Sequence, residues 1–190
     1  FSAACLASET LKEKYPELDV MPVDSLAATG GMGILIEQAL KNREAGMSLQ
    51  ENYKVLTSLV PKGRNWFLVQ DLNYLKRGGR ISSTTAIFGS MLNIKPILKI
   101  DENGKLTTIA KKRGNKMAVQ ALIDYFKENY DPQAPKTIYI SNADCKELGD
   151  MLSGKLKELY PDLEIKQTTL SPIIGAHTGP GMLMLSHIGK

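Results

Sequence analysis

Two amphipathic helical patterns, each set among short apolar runs, constrain this chain more than any other feature. Residues 115–130 place Met117, Ala118, Ala121, Leu122, Tyr125 and Phe126 on one face at helical spacing. Residues 144–160 do the same with Leu148, Met151, Leu152, Leu156 and Leu159. Stripes of this width must be buried against another layer. The surrounding strand-like runs supply that layer: residues 66–70, 92–100 (broken by Pro96), 105–112, 137–141, 164–170 and 182–188. Asp101-Glu-Asn-Gly104 joins two of them through a dipeptide that readily takes a pair of positive φ angles, which predicts an antiparallel hairpin. From about residue 64 the pattern therefore predicts an α+β unit: a mostly antiparallel sheet with helices on one face.

The first 63 residues read differently. Residues 1–14 are helical and end at Tyr15-Pro16. Cys5, among alanines, reads as a small buried hydrophobe. A short apolar segment at 19–23 is interrupted by Pro22 and predicts an edge or irregular strand. A helix punctuated by Gly30, Gly31 and Gly33 follows. Those glycines match neither GxGxxG nor a P-loop, so close helix packing explains them better than phosphate binding. Ser48-Leu-Gln-Glu51 is a capping box that opens a helix to about Val60, and Pro61-Lys-Gly63 breaks it. Strand, turn, helix is the α/β pattern. Residues 1–63 are expected to be the tail of one α/β lobe and residues 64–190 a second lobe. The chain opens in mid-helix without a cap or an initiator Met, and reads as lacking an N-terminal part.

With 190 residues, 43% of them hydrophobic, the chain can bury one large core or two small ones. A net charge of +4 does not by itself point to nucleic acid, and no nucleic-acid partner is expected. The one dense basic run, Lys111-Lys112-Arg113 with Lys116, lacks interleaved aromatics; it reads as a solvated strand end or a patch for an acidic partner. The two cysteines form no CxxC and no zinc spacing, so no metal site is expected, and the usage suits a reducing cytoplasm. Cys145, at a helix start, is a position where a thiol pKa can be lowered. No apolar run approaches the roughly 20 residues of a membrane span.

Two stretches carry candidate chemistry. Residues 71–96 begin where a strand ends. They set Lys76, Arg77 and Arg80 around Gly78-Gly79, then give a hydroxyl run, Ser82 to Thr85, then Ile87, Phe88, Met91, Leu92 and Ile94. A cationic fork, hydroxyl donors and apolar side chains suit an amphiphile with an anionic head; a basic loop before a core-facing helix is the plainer reading. Downstream, Ile173 to Ala176 leads into His177-Thr178-Gly179-Pro180-Gly181 between two apolar runs. Its glycine N–H groups and Thr178 form a turn able to hold an anion, with His177 as a donor. A connecting turn with a hydrogen-bonded His is the alternative. His187 reads as structural or exposed. Asp24 and Asp71 follow strand-like runs, where capping roles outweigh catalytic ones. No acid–base pair or nucleophile elbow stands out.

Asp24-Ser25 with its Gly-rich helix, Leu72-x-Tyr74-Leu-Lys-Arg-Gly-Gly-Arg-Ile-Ser82, Leu92-Asn-Ile-Lys-Pro96, Lys112-Arg113-Gly114 and His177-Thr-Gly-Pro-Gly181 together resemble the DegV family of bacterial fatty-acid-binding proteins. The blocks occur in order along the whole chain. The resemblance implies two α/β lobes holding one long-chain fatty acid between them. It implies a carrier with no catalysis or cofactor of its own, which presents the carboxylate to the catalytic subunit of a fatty acid kinase for acyl-phosphate formation. Arg80 and His177 match the family's network beneath the carboxylate. Thr178, Ile81, Phe88, Met91, Leu92, Ile94, Met182 and Met184 are expected around the ligand, and Arg113 with Lys112 at the kinase contact. Peripheral membrane contact during lipid exchange is a further expectation. The family's Thr-Ser-x-Pro-Ser and Ser-Gly-Thr segments, which supply hydroxyls to the carboxylate, would precede Phe1. A phosphotransferase-like enzyme acting on a small phosphorylated or hydroxylated substrate is the alternative function.

Overall fold

The structure is a computed structural model that describes residues 1–82 and 93–190. The expected helix cap at Ser82 or Ser83, and Phe88, Met91 and Leu92, fall wholly or partly outside the described residues. Among the described residues six strands form one sheet: β1 (Gly63–Leu68), β2 (Ile94–Ile100), β3 (Leu106–Arg113), β4 (Thr137–Asn142), β5 (Glu164–Thr169) and β6 (Leu183–Ile188), in the order β3-β2-β1-β6-β4-β5. Among the described residues only β4 and β5 pair in parallel. Their connection is the long helix that a parallel crossover requires. Pro96 is tolerated inside β2 beside a register shift at Ile97/Leu98, where the ladder is already irregular.

Strand alternation decides which residues meet which layer. Trp66, Leu68, Ile97, Ile138, Ile140, Leu183 and Leu185 form one core with helices α5 (Gly114–Asn129) and α6 (Lys146–Leu159). Ala118, Ala121, Leu122, Phe126, Leu152 and Leu156 are buried there as their spacing predicts, but Met117 and Leu159 are exposed at the margins of their stripes. The opposite residues, Phe67, Leu98, Met182 and Met184, form a second core with Val69, Leu72 and Leu75 around α4 (Leu72–Arg77).

On that second face also lies α2 (Gly30–Glu44). Its glycines permit the contact: a Cβ on Gly30 would overlap Tyr139 and one on Gly31 would overlap Asn65. Glu37 further down α2 accepts hydrogen bonds from the Tyr139 hydroxyl and from Lys166 Nζ at 2.6 Å. The ammonium and the hydroxyl hold the Glu37 carboxyl below its usual value against burial, and Tyr139 is pushed up to about 12, first by burial and then by that carboxylate. α3 (Leu49–Leu59) opens with the capping box, Ser48 Oγ accepting from Glu51 N and Glu51 Oε2 from Ser48 N at 2.8 Å. α1 (Ser2–Lys14) buries no residue, and Cys5 is only half-buried.

Other expectations are corrected. Residues 19–23 form no strand, because Pro22 removes a ladder donor and no neighbouring strand receives the segment. In the hairpin connection, residues 101–105, Gly104 alone takes positive φ (+72°), with Asp101 Oδ1 accepting from Asn103 N and Lys105 N. Residues 173–176 belong to a helix, α7 (Pro172–Thr178), with Ser171 at its N-cap and Pro172 at its first position.

Candidate functional site

Arg80 reaches the site through the end of α4. Asp71 caps the start of that helix, its carboxylate accepting from Asn73 N at 2.8 Å. At the other end Arg80 N donates to Leu75 O at 2.8 Å and Gly79 N to Lys76 O at 2.9 Å, with Gly79 left-handed at φ +68°. That is a Schellman motif, and it fixes the direction in which Arg80 leaves the helix. Arg80 Nη1 then donates to Gly78 O at 2.7 Å. Among the described residues no other hydrogen bond takes up its remaining N–H groups, which are suited to a ligand.

His177 comes from α7, which packs on α4. The guanidinium of Arg77 lies 4.5 Å from the Tyr74 ring centroid, and Gly179, at φ +76°, abuts the same ring where any Cβ would clash. The His177 imidazole in turn abuts Gly78, where a Cβ would overlap Nδ1. Arg80 and His177 therefore converge on one glycine.

Both residues line a cleft of about 690 Å³. Its apolar wall includes Phe67, Leu75, Met182 and Met184 from the second core, with Ile100, Leu106 and Ile174. Residues 23–29 and Met32 supply another wall. Two non-glycine residues in that wall take positive φ, Leu26 (46°) and Thr29 (53°), a strained state that surrounding structure must enforce. The Thr29 hydroxyl donates to Met184 Sδ at 3.0 Å. Asp24, in the same wall, has a turn role, accepting from Leu26 N at 3.2 Å.

The His177–Gly181 turn is not an open anion nest. Gly179 N donates to Gly175 O at 2.8 Å and Gly181 N to Ala143 O at 2.6 Å. Thr178 is buried and its hydroxyl donates to Ile174 O at 3.0 Å. Its backbone donors are thus spent on the fold, and what the turn contributes is the placement of His177.

Of the predicted residues, Arg80, His177, Thr178, Met182 and Met184 line the cleft. Ile81 is half-buried and lines a shallower one of about 540 Å³ beside Arg80. Ile94 opens β2 and does not line the cleft. Lys112 and Arg113 close the edge strand β3, facing Lys95 and Ile94 across the ladder. Sequence reasoning missed Leu26, Thr29, Phe67 and Leu75; the alternation along β1 was the available signal for Phe67 alone. Cys145 is not an activated thiol: burial pushes its pKa up, and Sγ donates to Met182 O at 3.1 Å. Among the described residues no cluster of metal-binding side chains occurs, and no helix is long and apolar enough to cross a membrane.

The chain is similar to known proteins in both sequence and fold. A DegV domain-containing protein of Clostridium perfringens is 36% identical over 189 residues, and the chain spans 65% of its length. The chain also superposes, over its whole length and 66% of the other, on the Streptococcus pneumoniae fatty acid kinase (Fak) B3 protein loaded with linoleic acid, with a TM-score of 0.92 at 26% identity. A DegV family protein from Eubacterium eligens loaded with heptadecanoic acid shares the fold, with a TM-score of 0.92 at 23% identity; the chain covers 68% of it. The family model described as "Uncharacterised protein, DegV family" matches residues 1–190. The chain belongs to the DegV family.

Proposed function

We propose that this protein binds a long-chain fatty acid in the 690 Å³ cleft, with the carboxylate at Arg80 and His177 and the tail along Phe67, Leu75, Met182 and Met184. The observation that carries this reading is the shared cleft: a guanidinium and an imidazole at one place and a thioether-rich apolar wall at another. Each methylene buried contributes about 0.8 kcal/mol, so a long chain gains on the order of 10 kcal/mol before ordering costs. A guanidinium keeps the head group ionised and offsets its desolvation. The relatives loaded with linoleic and heptadecanoic acid support the same ligand class.

In this reading the protein is a carrier that offers the carboxylate to a fatty acid kinase catalytic subunit, with Arg113 and Lys112 at the contact. The Fak B3 relative supports the partnership. Ile173, 74% exposed at the cleft, suits brief contact with a bilayer while lipid exchanges. A small phosphorylated substrate is the poorer candidate, because the glycine N–H groups that would cradle a phosphate are already bonded.

Solvent extraction of the protein purified from bacteria, followed by mass spectrometry, is expected to release long-chain acids in near-stoichiometric amount. Protein that is repeatedly free of lipid, and is stabilised thermally by a phosphate ester but not by oleate, overturns the reading.

A further inference from the structure

A second cavity, of about 890 Å³, adjoins the first. The two share Phe1, Asp24, Ser25, Leu26 and Ile100 in their linings. Residues that line both cavities form the wall between them. Within that wall Leu26 alone combines an aliphatic side chain with left-handed backbone (φ 46°), and its Cδ2 packs 3.6 Å from where a Cβ on Gly104 would stand. The second cavity offers apolar surface beyond the wall, in Val60, Trp66, Ile109 and Tyr125.

We propose that Leu26 is a specificity-determining residue: a partition that closes the binding cleft and limits the length of acyl chain it accepts. The inference rests on the fatty-acid reading and deepens it. A strained Leu held against a hairpin turn is a fixed stop. Shortening it to Ala joins the two cavities while leaving the backbone conformation an L-residue's. Enlarging it to Phe moves the stop inward.

The test is a titration of the purified protein with a homologous series of saturated fatty acids, read by displacement of a fluorescent analogue. For the parent protein, affinity is expected to rise with each added methylene and then stop rising at a limiting length. Leu26→Ala is expected to move that limit outward by about two methylenes or more, with affinity for the longer acids up roughly tenfold. Leu26→Phe is expected to move it inward, and carries the test alone where the alanine variant does not fold. Ile109→Ala, which enlarges the second cavity without touching the shared wall or the binding cleft, is expected to leave the limit in place. A parent that binds fatty acids with the same limit in both Leu26 variants, or an Ile109→Ala limit that moves as far as that of Leu26→Ala, overturns the partition and leaves the fatty-acid reading standing. A parent that binds no fatty acid overturns both.

Discussion

The imidazole of His177 rests on the Cα of Gly78, with Nδ1 so near that a methyl group there would overlap it. The carbonyl of the same glycine holds the Arg80 guanidinium at 2.7 Å. Gly78 itself sits at φ −75°, ψ −1°, which any L-residue adopts. A substitution therefore acts through the contact and not through backbone strain. Gly78→Ala is expected to push the imidazole aside, lowering fatty-acid affinity about tenfold, or ~1.4 kcal/mol. The overpacking cost to stability is about 1 kcal/mol, because His177 is only half-buried and can yield. Fluorescent-ligand titration and a denaturant melt read the two effects separately. Unchanged affinity sinks the assignment of His177 to the site.

Arg80 is exposed, so its removal is expected to change stability by no more than about 0.5 kcal/mol. Charge-assisted bonds from a guanidinium to a carboxylate are worth about 1.5–3 kcal/mol, so on the proposed binding mode Arg80→Ala is expected to weaken binding about ten- to hundredfold. On the proposed partnership, turnover coupled to a fatty acid kinase is expected to fall with it. Arg80→Lys restores little, since an ammonium cannot bond the Gly78 carbonyl and grip a carboxylate with the same planar fork. A large fall in melting temperature with normal binding by the folded fraction contradicts this account.

The parts of the fold that were legible are those whose signals are local. The stripes of α5 and α6, the Ser48 capping box and the strand alternation each repeat within a few residues. The α7 helix was missed because a seven-residue segment gives two adjacent isoleucines and no period, although Ser171-Pro172 is a helix-start signal. The supposed anion nest failed for a non-local reason: the acceptor for Gly181 N is Ala143 O, from the end of a distant strand. Leu26 and Thr29 were invisible as strained residues, because nothing in either residue type marks positive φ. Arg80 and His177 were legible as candidates. Their meeting was implied by the family resemblance and by no local pattern, since it depends on Tyr74 of α4 packing against Gly179 just beyond α7.

Two glycines inside helices give opposite expectations. Alanine is intrinsically better than glycine in a helix by about 1 kcal/mol. Gly154 in α6 has open space around its Cα, so Gly154→Ala is expected to stabilise by about 0.5–1 kcal/mol. Gly31 in α2 abuts the buried Asn65 amide, so Gly31→Ala is expected to destabilise by about 1–3 kcal/mol despite the same intrinsic gain. Urea melts of the two variants check this. Because the first turn of α2 lines the cleft, the Gly31 variant is also expected to lose ligand affinity.

His187 is expected to make the protein sensitive to mild acid. The ring is 2% exposed and lies between Trp66, at a centroid distance of 5.3 Å, and Phe126, at 4.6 Å. Nδ1 meets Ile188 O at 2.9 Å, while Nε2 is buried without a partner among the described residues. Burial, aided by the Arg64 charge, lowers its pKa from 6.5 to about 4; the bond to Ile188 only partly opposes this. The folded state thus prefers the neutral ring. Above pH 6.5 neither state binds the proton and the stability is fully present; as pH falls from 6.5 towards 4, the unfolded chain takes up the proton first and stability is lost. A shift of that size corresponds to about 3 kcal/mol. The lowered carboxylates, Glu37 and Glu164 among them, have ordinary values of 4.5 and lose their contribution further down the scale, so the interval from pH 6.5 to 5 isolates the histidine. His187→Phe keeps the aromatic packing and removes the proton. Denaturant melts across that interval are expected to show a slope in the parent and a nearly flat line in the variant, and equal slopes would remove His187 as the cause.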